Sequence, residues 1–481
     1  MPVLHLGADE SLEVSALAYN TREVKPGTLF FAIRGEKADG HAYIPQALER
    51  GAVAVVSERA APPELASRWI QVPAIRRALA EAGRIFFDHP EKRLQLIGIT
   101  GTNGKTTTTY LVESVLAAAG ILSGVFGTIE YRMGGKTKVA TNTTPDSLDL
   151  LSYFAELVKA GGQAAVMEVS SHSLAQERVW GFHFAVAVFT NLTQDHLDYH
   201  QDFEHYFQAK RRLFEGLGAA PPDWAVINID DPWGERLLEL PQANRLTYGL
   251  KADAQVTPKH LESTPMRTKA VIATPAGKLQ IVSPLLGRAN LENILAAIAT
   301  GVAMGIQGTK IEEGIARLQA VPGRFERIDE GQPFLVVVDY AHTDDALKNV
   351  LKTARELTRH RLIVLFGCGG ERDRTKRPRM GEAAGSLADF VVLTSDNPRG
   401  EDPLLIMADA LVGLQRTGTP YLAEVDRGLA VRKALQEARE GDVVVLAGKG
   451  HETYQVLKDG PIDFDDRDVA RKVLAEMGYV K

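Results

Sequence analysis

From about residue 91 to the C-terminus, short apolar runs of strand length alternate with longer amphipathic stretches of helical period. That alternation predicts parallel sheets with crossover helices, an α/β fold. The pattern breaks near Pro90, where His89-Pro-Glu-Lys-Arg93 precedes an apolar strand. It breaks again near Val321, where Pro322-Gly323 interrupts a helical pattern and the chain restarts with Phe334-Leu-Val-Val-Val-Asp339. Three units are therefore expected, 1–90, 91–321 and 322–481, with no internal repeat.

Four strand-like runs of the third unit end in polar clusters. They lead into Asp339-Tyr-Ala-His342, Gly367-Cys-Gly-Gly370, Ser395-Asp396-Asn-Pro-Arg399 and Gly448-Lys-Gly-His451-Glu452. Ligands of open parallel sheets bind beyond the carboxyl ends of strands, so the four clusters should converge on one crevice. The second unit repeats the arrangement with Val166-Met-Glu168-Val-Ser170-Ser-His172, and with a run ending at Asn191 that leads to Asp195-His196-Leu-Asp198. A carboxylate and an imidazole at strand ends beside a phosphate loop are candidate Mg²⁺ ligands, since the ion takes a few protein oxygens and shares the phosphates. Imidazole is a poor Mg²⁺ ligand, and for His196 alone a structural role fits nearly as well.

The phosphate loop is the strongest single signal. An apolar strand from Leu94 runs into Gly101-Thr102-Asn103-Gly104-Lys105-Thr106-Thr107 and then into a helical stretch. Glycines let backbone N–H groups turn toward phosphate oxygens, the helix N-terminus adds its positive end, Lys105 supplies a mobile cation and Thr106 a hydroxyl for Mg²⁺. The pattern departs from a strict P-loop, because the first glycine would fall at Ile99.

In Tyr206-Phe207-Gln-Ala-Lys210-Arg211-Arg212-Leu213-Phe214 the apolar residues lie three and four positions either side of Lys210, which places the lysine on their face of a helix. Spacing alone favours a snorkelling stem with its ammonium in water. The alternative is a desolvated lysine that reacts, for example with carbon dioxide to give an anionic carbamate.

Composition narrows the setting. The chain has 481 residues, too many for one core, with 45% hydrophobic and 24% charged residues. A net charge of −6 argues against nucleic acid as the main partner, and the one cysteine, Cys368, excludes an intrachain disulfide and suits a reducing compartment. No run approaches the ~18 apolar residues of a membrane span. A cytoplasmic monomer is expected.

Together the motifs Gly101-Thr-Asn-Gly-Lys-Thr-Thr, Glu168-Val-Ser-Ser-His, Thr190-Asn-Leu-Thr-Gln-Asp-His196, Gly287-Arg-Ala-Asn290-Leu-Glu-Asn293, Pro322-Gly-Arg324 and Asp339-Tyr-Ala-His342 closely resemble the Mur ligases of peptidoglycan synthesis, in order and over almost the whole chain. The resemblance implies a uridine-nucleotide domain, a central P-loop-type parallel-sheet domain and a C-terminal Rossmann-like domain. Asp396-Asn397-Pro398-Arg399, with Gly448 to Glu452, is similar to the members that use ATP and Mg²⁺ to add meso-2,6-diaminopimelate to UDP-MurNAc-L-Ala-D-Glu through an acyl phosphate. By that resemblance Lys105 and Arg324 hold the γ-phosphate, Thr106 binds one Mg²⁺, and Glu168, His196 and carbamylated Lys210 serve a second. Asn290, Asn293, Asp339 and His342 match nucleotide contacts. Asn142, Thr143, Thr144, Ser170, Gln176 and Arg178 match muramoyl-peptide contacts, and Thr21 and Arg22, with Gly35 to Gly40, match the uridine site. Arg372, Asp396, Asn397, Arg399, Gly448 and Glu452 match amino-acid contacts, with Arg399 discriminating the second carboxylate of diaminopimelate from lysine. The bland reading of Arg399 is a surface pair with Glu401 or Asp402. Asn20 stands where aspartate is common, and Asp344 where proline is usual, which puts the rigidity of the second loop in question. The competing expectations are the same ligase acting on L-lysine and, from another class, a P-loop ATPase.

Overall fold

The computed structural model describes residues 3–9, 11–35, 38–195, 197–264 and 266–481. By contact density the chain forms two compact units, one of residues 1–101, 120–189 and 196–246, the other of residues 102–119, 190–195 and 247–481.

In the first unit a five-stranded sheet is built from His5–Leu6, Trp69–Gln71, Ala52–Ser57, Thr28–Phe31 and Ala16–Ala18, in that spatial order. Its pairings are parallel except for the edge strand His5–Leu6. An eight-stranded sheet follows, and at its centre Gln95–Thr100 lies between Val186–Phe189 and Ala164–Glu168, parallel to both. Glu168 pairs with Ile99, and Phe189 with Thr100, so three carboxyl ends stand side by side. The expected parallel character holds here, but the far edge is antiparallel: Ser123–Phe126, Glu130–Met133 and Lys136–Val139 form a meander.

The second unit carries a six-stranded sheet in the order Glu326–Ile328, Leu335–Asp339, Val443–Ala447, Leu362–Cys368, Phe390–Ser395, Tyr421–Glu424. The four strands whose ends were expected to converge are adjacent and parallel. Leu362–Cys368 and Val443–Ala447 are buried at every position, as a sheet covered by helices on both faces requires. A departure from the expected parallel pattern is the antiparallel sheet Thr257–Ser263, Thr268–Thr274, Gly277–Ser283, where alternate residues of the middle strand are buried. The helix Lys105–Ala118 packs against helices Arg288–Ala303 and Gly308–Arg317. Gly314 permits the close approach, since a Cβ there would lie 2.5 Å from Val115 Cα. Among the described residues no helix is long and apolar enough to cross a membrane.

Candidate active site

Residues 102–107 of the phosphate loop, in the second unit, are fixed by backbone and amide bonds. Gly104 sits at φ +85° and opens the helix Lys105–Ala118, and a Cβ on it would lie 2.3 Å from Asn293 Oδ1, so both conformation and space require glycine. The Thr102 N–H donates to Asn191 O at 2.8 Å, the Asn103 N–H to Asn191 Oδ1 at 2.9 Å, and Thr190 Oγ1 to Asn103 O at 2.7 Å. Lys105 Nζ donates to Thr102 O at 2.8 Å, folded over its own loop. Asn290 and Asn293 are buried: Asn290 Nδ2 holds Leu286 O at 2.9 Å, and Asn293 Oδ1 accepts from Thr108 Oγ1 at 3.3 Å. In this structure the two amides buttress the loop and its helix from behind.

Arg324 is placed by the strand ends. Gly323 has φ +62°, and a Cβ there would stand 2.0 Å from the His451 backbone nitrogen, so the Pro322-Gly323-Arg324 turn lies directly on the Gly450-His451 backbone. Asp339, at the end of its strand, accepts from the Phe325 N–H at 2.7 Å and the Ala341 N–H at 2.9 Å, while burial pushes its carboxyl above the usual range. It thereby holds the turn that aims Arg324. Arg324 Nη2 donates to Thr106 Oγ1 at 3.3 Å, and its guanidinium lies 4.9 Å from the Tyr340 ring, whose centre is also 4.8 Å from that of the His451 ring, tilted by 48°. Burial, and next the charge of Arg324, push His451 down to about 4, so it stays neutral near pH 7. His342 is exposed, with Nδ1 2.8 Å from Tyr340 O. Thr343 caps the helix Asp344–Leu357 by accepting from the Ala346 N–H at 3.2 Å, and Asp344 places a negative charge in its first turn. The capping hydroxyl and the favourably placed charge both stabilise the helix start that proline would otherwise open.

The residues matched to amino-acid contacts lie beyond strands Phe390–Ser395 and Val443–Ala447. Arg399 does not make the surface pair with Glu401. Glu401 is taken by Arg377 at 2.9 Å and Arg374 at 3.0 Å, whereas Arg399 Nη1 donates to Gly370 O at 2.7 Å and Asn397 O at 3.4 Å. Arg399 itself has φ +54°, held by its N–H bond to Val456 O at 3.0 Å. A Cβ on Gly369 would stand 3.2 Å from Arg399 Nη1 and 3.8 Å from Arg372 Cγ, so two arginine side chains flank one bare backbone position. Pro398 O lies 2.0 Å from where a Cβ on Gly370 would be, closing the loop against that glycine. Lys449, given no role from the sequence, is fully buried. Its Nζ donates to Glu452 Oε2 at 2.9 Å and Asn397 Oδ1 at 3.2 Å and lies 3.6 Å from Asp396 Oδ1, tying three expected contacts together. Gly448 has φ +115°, and its Cβ would be 3.2 Å from Asp396 Oδ2.

Beneath these loops is a buried ion pair. Arg427 donates to Asp466 through Nε at 2.8 Å and Nη2 at 2.6 Å, both side chains being 0% exposed, and it also reaches Ala447 O at 3.0 Å and Ser395 O at 3.3 Å. It anchors the two strand ends that carry Gly448 and Asp396. Arg427→Met is expected to lower stability by about 3–5 kcal/mol in urea unfolding, because Asp466 would be left charged and unpaired. A change below 1 kcal/mol (roughly the worth of an exposed pair) would show that the pair does not carry the load assigned to it.

In the first unit Glu168 is 1% exposed, and Thr128 holds both carboxylate oxygens, its N–H to Oε1 at 2.8 Å and its Oγ1 to Oε2 at 3.1 Å. Lys210 is on the face its spacing predicts but does not snorkel: it is 1% exposed, and Nζ donates to Gly101 O at 2.8 Å and sits 4.3 Å from the Tyr206 ring. Tyr206, Phe207, Leu213 and Phe214, at three and four positions either side of it on the same helix, are buried with it. His196 lies outside the described residues, as do Glu36 and Lys37 of the expected uridine loop. Among the described residues no group of three or more His, Cys, Asp or Glu side chains is placed to hold a metal ion.

The muramoyl-peptide candidates cluster. Thr144 Oγ1 donates to Glu168 O at 2.8 Å and accepts from the Ser170 N–H at 3.1 Å, and Thr143 Oγ1 lies 3.2 Å from Thr128 Oγ1. Arg178 donates to Gln176 Oε1 through Nε at 3.1 Å and Nη2 at 2.9 Å, and to Thr144 O at 2.8 Å. Asn142 is exposed, with its N–H bonded to Tyr131 OH at 2.9 Å. A cavity of about 380 Å³ has Arg34, Gly35, Arg76, Gln176, Glu177 and Tyr199 in its lining. Asn20 caps the short helix Thr21–Glu23 by accepting from the Arg22 N–H at 3.1 Å, a task asparagine performs as well as aspartate. Thr21 O accepts from Arg50 Nη1 at 2.8 Å, and Arg22 is exposed. Thr128, Lys449 and the pair Arg427 and Asp466 are among the polar residues that sequence reasoning missed. Only Lys449, inside a recognised motif, carried a signal.

Three family models match in succession: "Mur ligase family, catalytic domain" over residues 13–87, "Mur ligase middle domain" over 99–301, and "Mur ligase, glutamate ligase domain" over 323–450. Among curated proteins, the UDP-N-acetylmuramoyl-L-alanyl-D-glutamate--2,6-diaminopimelate ligase of Solibacter usitatus is 59% identical over 467 residues, covering 97% of this chain and 94% of that one. The protein of the same name from Geobacillus thermodenitrificans is 47% identical over 468 residues, covering 96% and 95%. A solved structure of a ligase of that name superposes with a TM-score of 0.69 at 33% identity, over 97% of this chain and 96% of the other. The fold is shared more widely: MurF ligase from Thermotoga maritima, solved with ADP, gives a TM-score of 0.63 at 20% identity over 98% of each chain. With its three domain models matched in order and these relatives aligned over nearly its full length, the chain belongs to the Mur ligase family.

Proposed function

We propose that this chain is an ATP-dependent ligase that forms an amide bond between UDP-MurNAc-L-Ala-D-Glu and meso-2,6-diaminopimelate in the cytoplasm, acting as a monomer. The observation that carries the choice of amino acid is the pair Arg372 and Arg399 against Gly369, on strand-end loops whose neighbours hold the acidic Asp396 and Glu452 around Lys449. Diaminopimelate has two carboxylates and two amines, and a site with both signs of charge suits it. Residues 1–90 would hold the uridine nucleotide, 91–321 the ATP and the muramoyl peptide, and 322–481 the amino acid.

The D-glutamate side-chain carboxylate takes the γ-phosphoryl group of ATP, and the resulting acyl phosphate is attacked by the amine, with phosphate leaving. Each step builds charge on oxygen, so Lys105 and Arg324 at the γ-phosphate do most of the stabilising. Thr106 would hold one Mg²⁺, and Glu168, His196 and carbamylated Lys210 a second. A hydroxyl at the first place and a carboxylate at the second are oxygen donors of the kind that ion takes. When bound, Mg²⁺ neutralises phosphate charge. Asp339 keeps Arg324 aimed, while Gln176 and Arg178 orient the peptide. Phosphate release measured with ATP, Mg²⁺ and UDP-MurNAc-L-Ala-D-Glu should require meso-diaminopimelate and yield a tripeptide product. A product with L-lysine instead would overturn the specificity, and release indifferent to either amino acid would restore the ATPase reading.

A further inference from the structure

Glu177 stands between the two residues of the first unit expected to grip the muramoyl peptide, Gln176 and Arg178, and its backbone is in the left-handed region at φ +56°. The helix Ser171–Ala175 closes there: the Arg178 N–H donates to Ser173 O at 2.8 Å and the Glu177 N–H to Leu174 O at 3.3 Å, the left-handed turn common at helix C-termini. The Glu177 side chain then ties that turn to two other helices. Arg77 donates to Glu177 Oε2 through Nε at 2.9 Å and to Oε1 through Nη2 at 2.8 Å, and the guanidinium lies 3.9 Å from the centre of the Trp180 ring. From the other side Arg212 Nη2 donates to Glu177 Oε1 at 3.1 Å, and Arg212 Nη1 donates to Leu174 O at 2.9 Å. The hydrogen bonds of Arg77, and then its charge, hold the Glu177 carboxyl below its ordinary range despite partial burial. The three side chains come from separate elements: the helix Ile75–Phe86, the turn after Ser171–Ala175, and the helix Phe203–Glu215 that carries Lys210. Glu177 also lines the cavity that Gln176 enters. Neither arginine matches a family contact, and nothing in the proposed chemistry uses Glu177.

We infer that Glu177, clamped by Arg77 and Arg212, is a positioning residue that ties the turn presenting Gln176 and Arg178 to the helices Ile75–Phe86 and Phe203–Glu215, and so sets affinity for the muramoyl-peptide substrate without touching the reacting atoms. The inference rests on the muramoyl-peptide role proposed for those two residues. Glu177→Gln is nearly isosteric and leaves the backbone demand unchanged, but it removes the charge of the clamp and turns one of its two acceptors into an NH2 donor facing an arginine. Arg77→Met keeps the stem over Trp180 and removes the fork.

The test is steady-state kinetics with each substrate varied in turn, together with calorimetric binding of UDP-MurNAc-L-Ala-D-Glu and a thermal melt of each variant. Both variants are expected to raise KM and Kd for that nucleotide about tenfold, as a small misplacement of orienting groups does. Turnover and the KM values for ATP and the amino acid should be unchanged, and Arg77→Lys should restore part of the loss. The double variant should be no worse than the poorer single one, since both break one network. A parallel rise in all three KM values would mean a merely structural role, and no change in an active enzyme would remove Glu177 from substrate positioning. If the unaltered protein fails to bind UDP-MurNAc-L-Ala-D-Glu, the functional reading falls first, and this inference with it.

Discussion

Lys210→Ala is expected to lose about 1,000-fold in turnover, the scale on which loss of a preorganised electrostatic group is felt, and to recover part of it when acetate or formate is added. The amine is buried against the Gly101 carbonyl at 2.8 Å, at the glycine that opens the phosphate loop. Carbamylation would convert that cation into an anion on the same stem, with oxygens in place of N–H donors. Removing the side chain deletes this group and leaves a cavity, which a small carboxylate can enter and fill with the same chemistry. Rescue separates the two roles a buried lysine can have. A side chain needed only to satisfy Gly101 O and pack on Tyr206 would give a weakened protein that no carboxylate restores. Activity within about twofold of the unaltered enzyme, far inside the cost of a lost stabilising group, would exclude Lys210 from the reaction altogether.

Arg399→Ala should lower kcat/KM for meso-diaminopimelate about 100-fold while changing that for L-lysine little, the cost of leaving a carboxylate without its charged partner. The guanidinium is anchored by Nη1 on the Gly370 and Asn397 carbonyls, so it is oriented before the ligand arrives and little ordering entropy is lost on binding. The φ of +54° complicates the alanine result, because alanine resists that conformation. Arg399→Asn tolerates it and should give the same change in preference, which assigns the effect to the guanidinium and not to the turn. Arg399→Lys should recover only part, since one point charge replaces a planar fork. An unchanged ratio of the two amino acids in both the alanine and asparagine variants would move specificity to another residue.

What could be read in advance follows from what leaves a periodic or compositional mark. The four strand ends of the C-terminal sheet were legible because Val336-Val-Val-Asp339 and its counterparts switch abruptly from apolar to polar, and parallel pairing then brings them together. The face occupied by Lys210 was legible from its neighbours at three and four positions. Its burial was not, because the acceptor that satisfies it belongs to Gly101, 109 residues away. Arg427 and Asp466 were invisible for the same reason: a pair 39 residues apart has no spacing to read. The antiparallel strands between residues 257 and 283 were passed over in favour of the parallel pattern around them, although alternate burial along Thr268–Thr274 is the physical mark of such a sheet. Asp344 drew attention as a lost proline when its neighbour Thr343 already supplied the cap.

The contact at Gly323 has a further meaning. Two backbone segments meet there with no side chain between them, one aiming Arg324 at the phosphate loop and the other continuing into Lys449 and Glu452 among the amino-acid contacts. Such a joint has no soft element to absorb a displacement, so a shift of either segment is transmitted to the other. If the two ends take their ligands as proposed, any factor that the first ligand gains from the second across this joint, the second must gain from the first. Order of arrival can differ between molecules, but the strength of that mutual preference cannot.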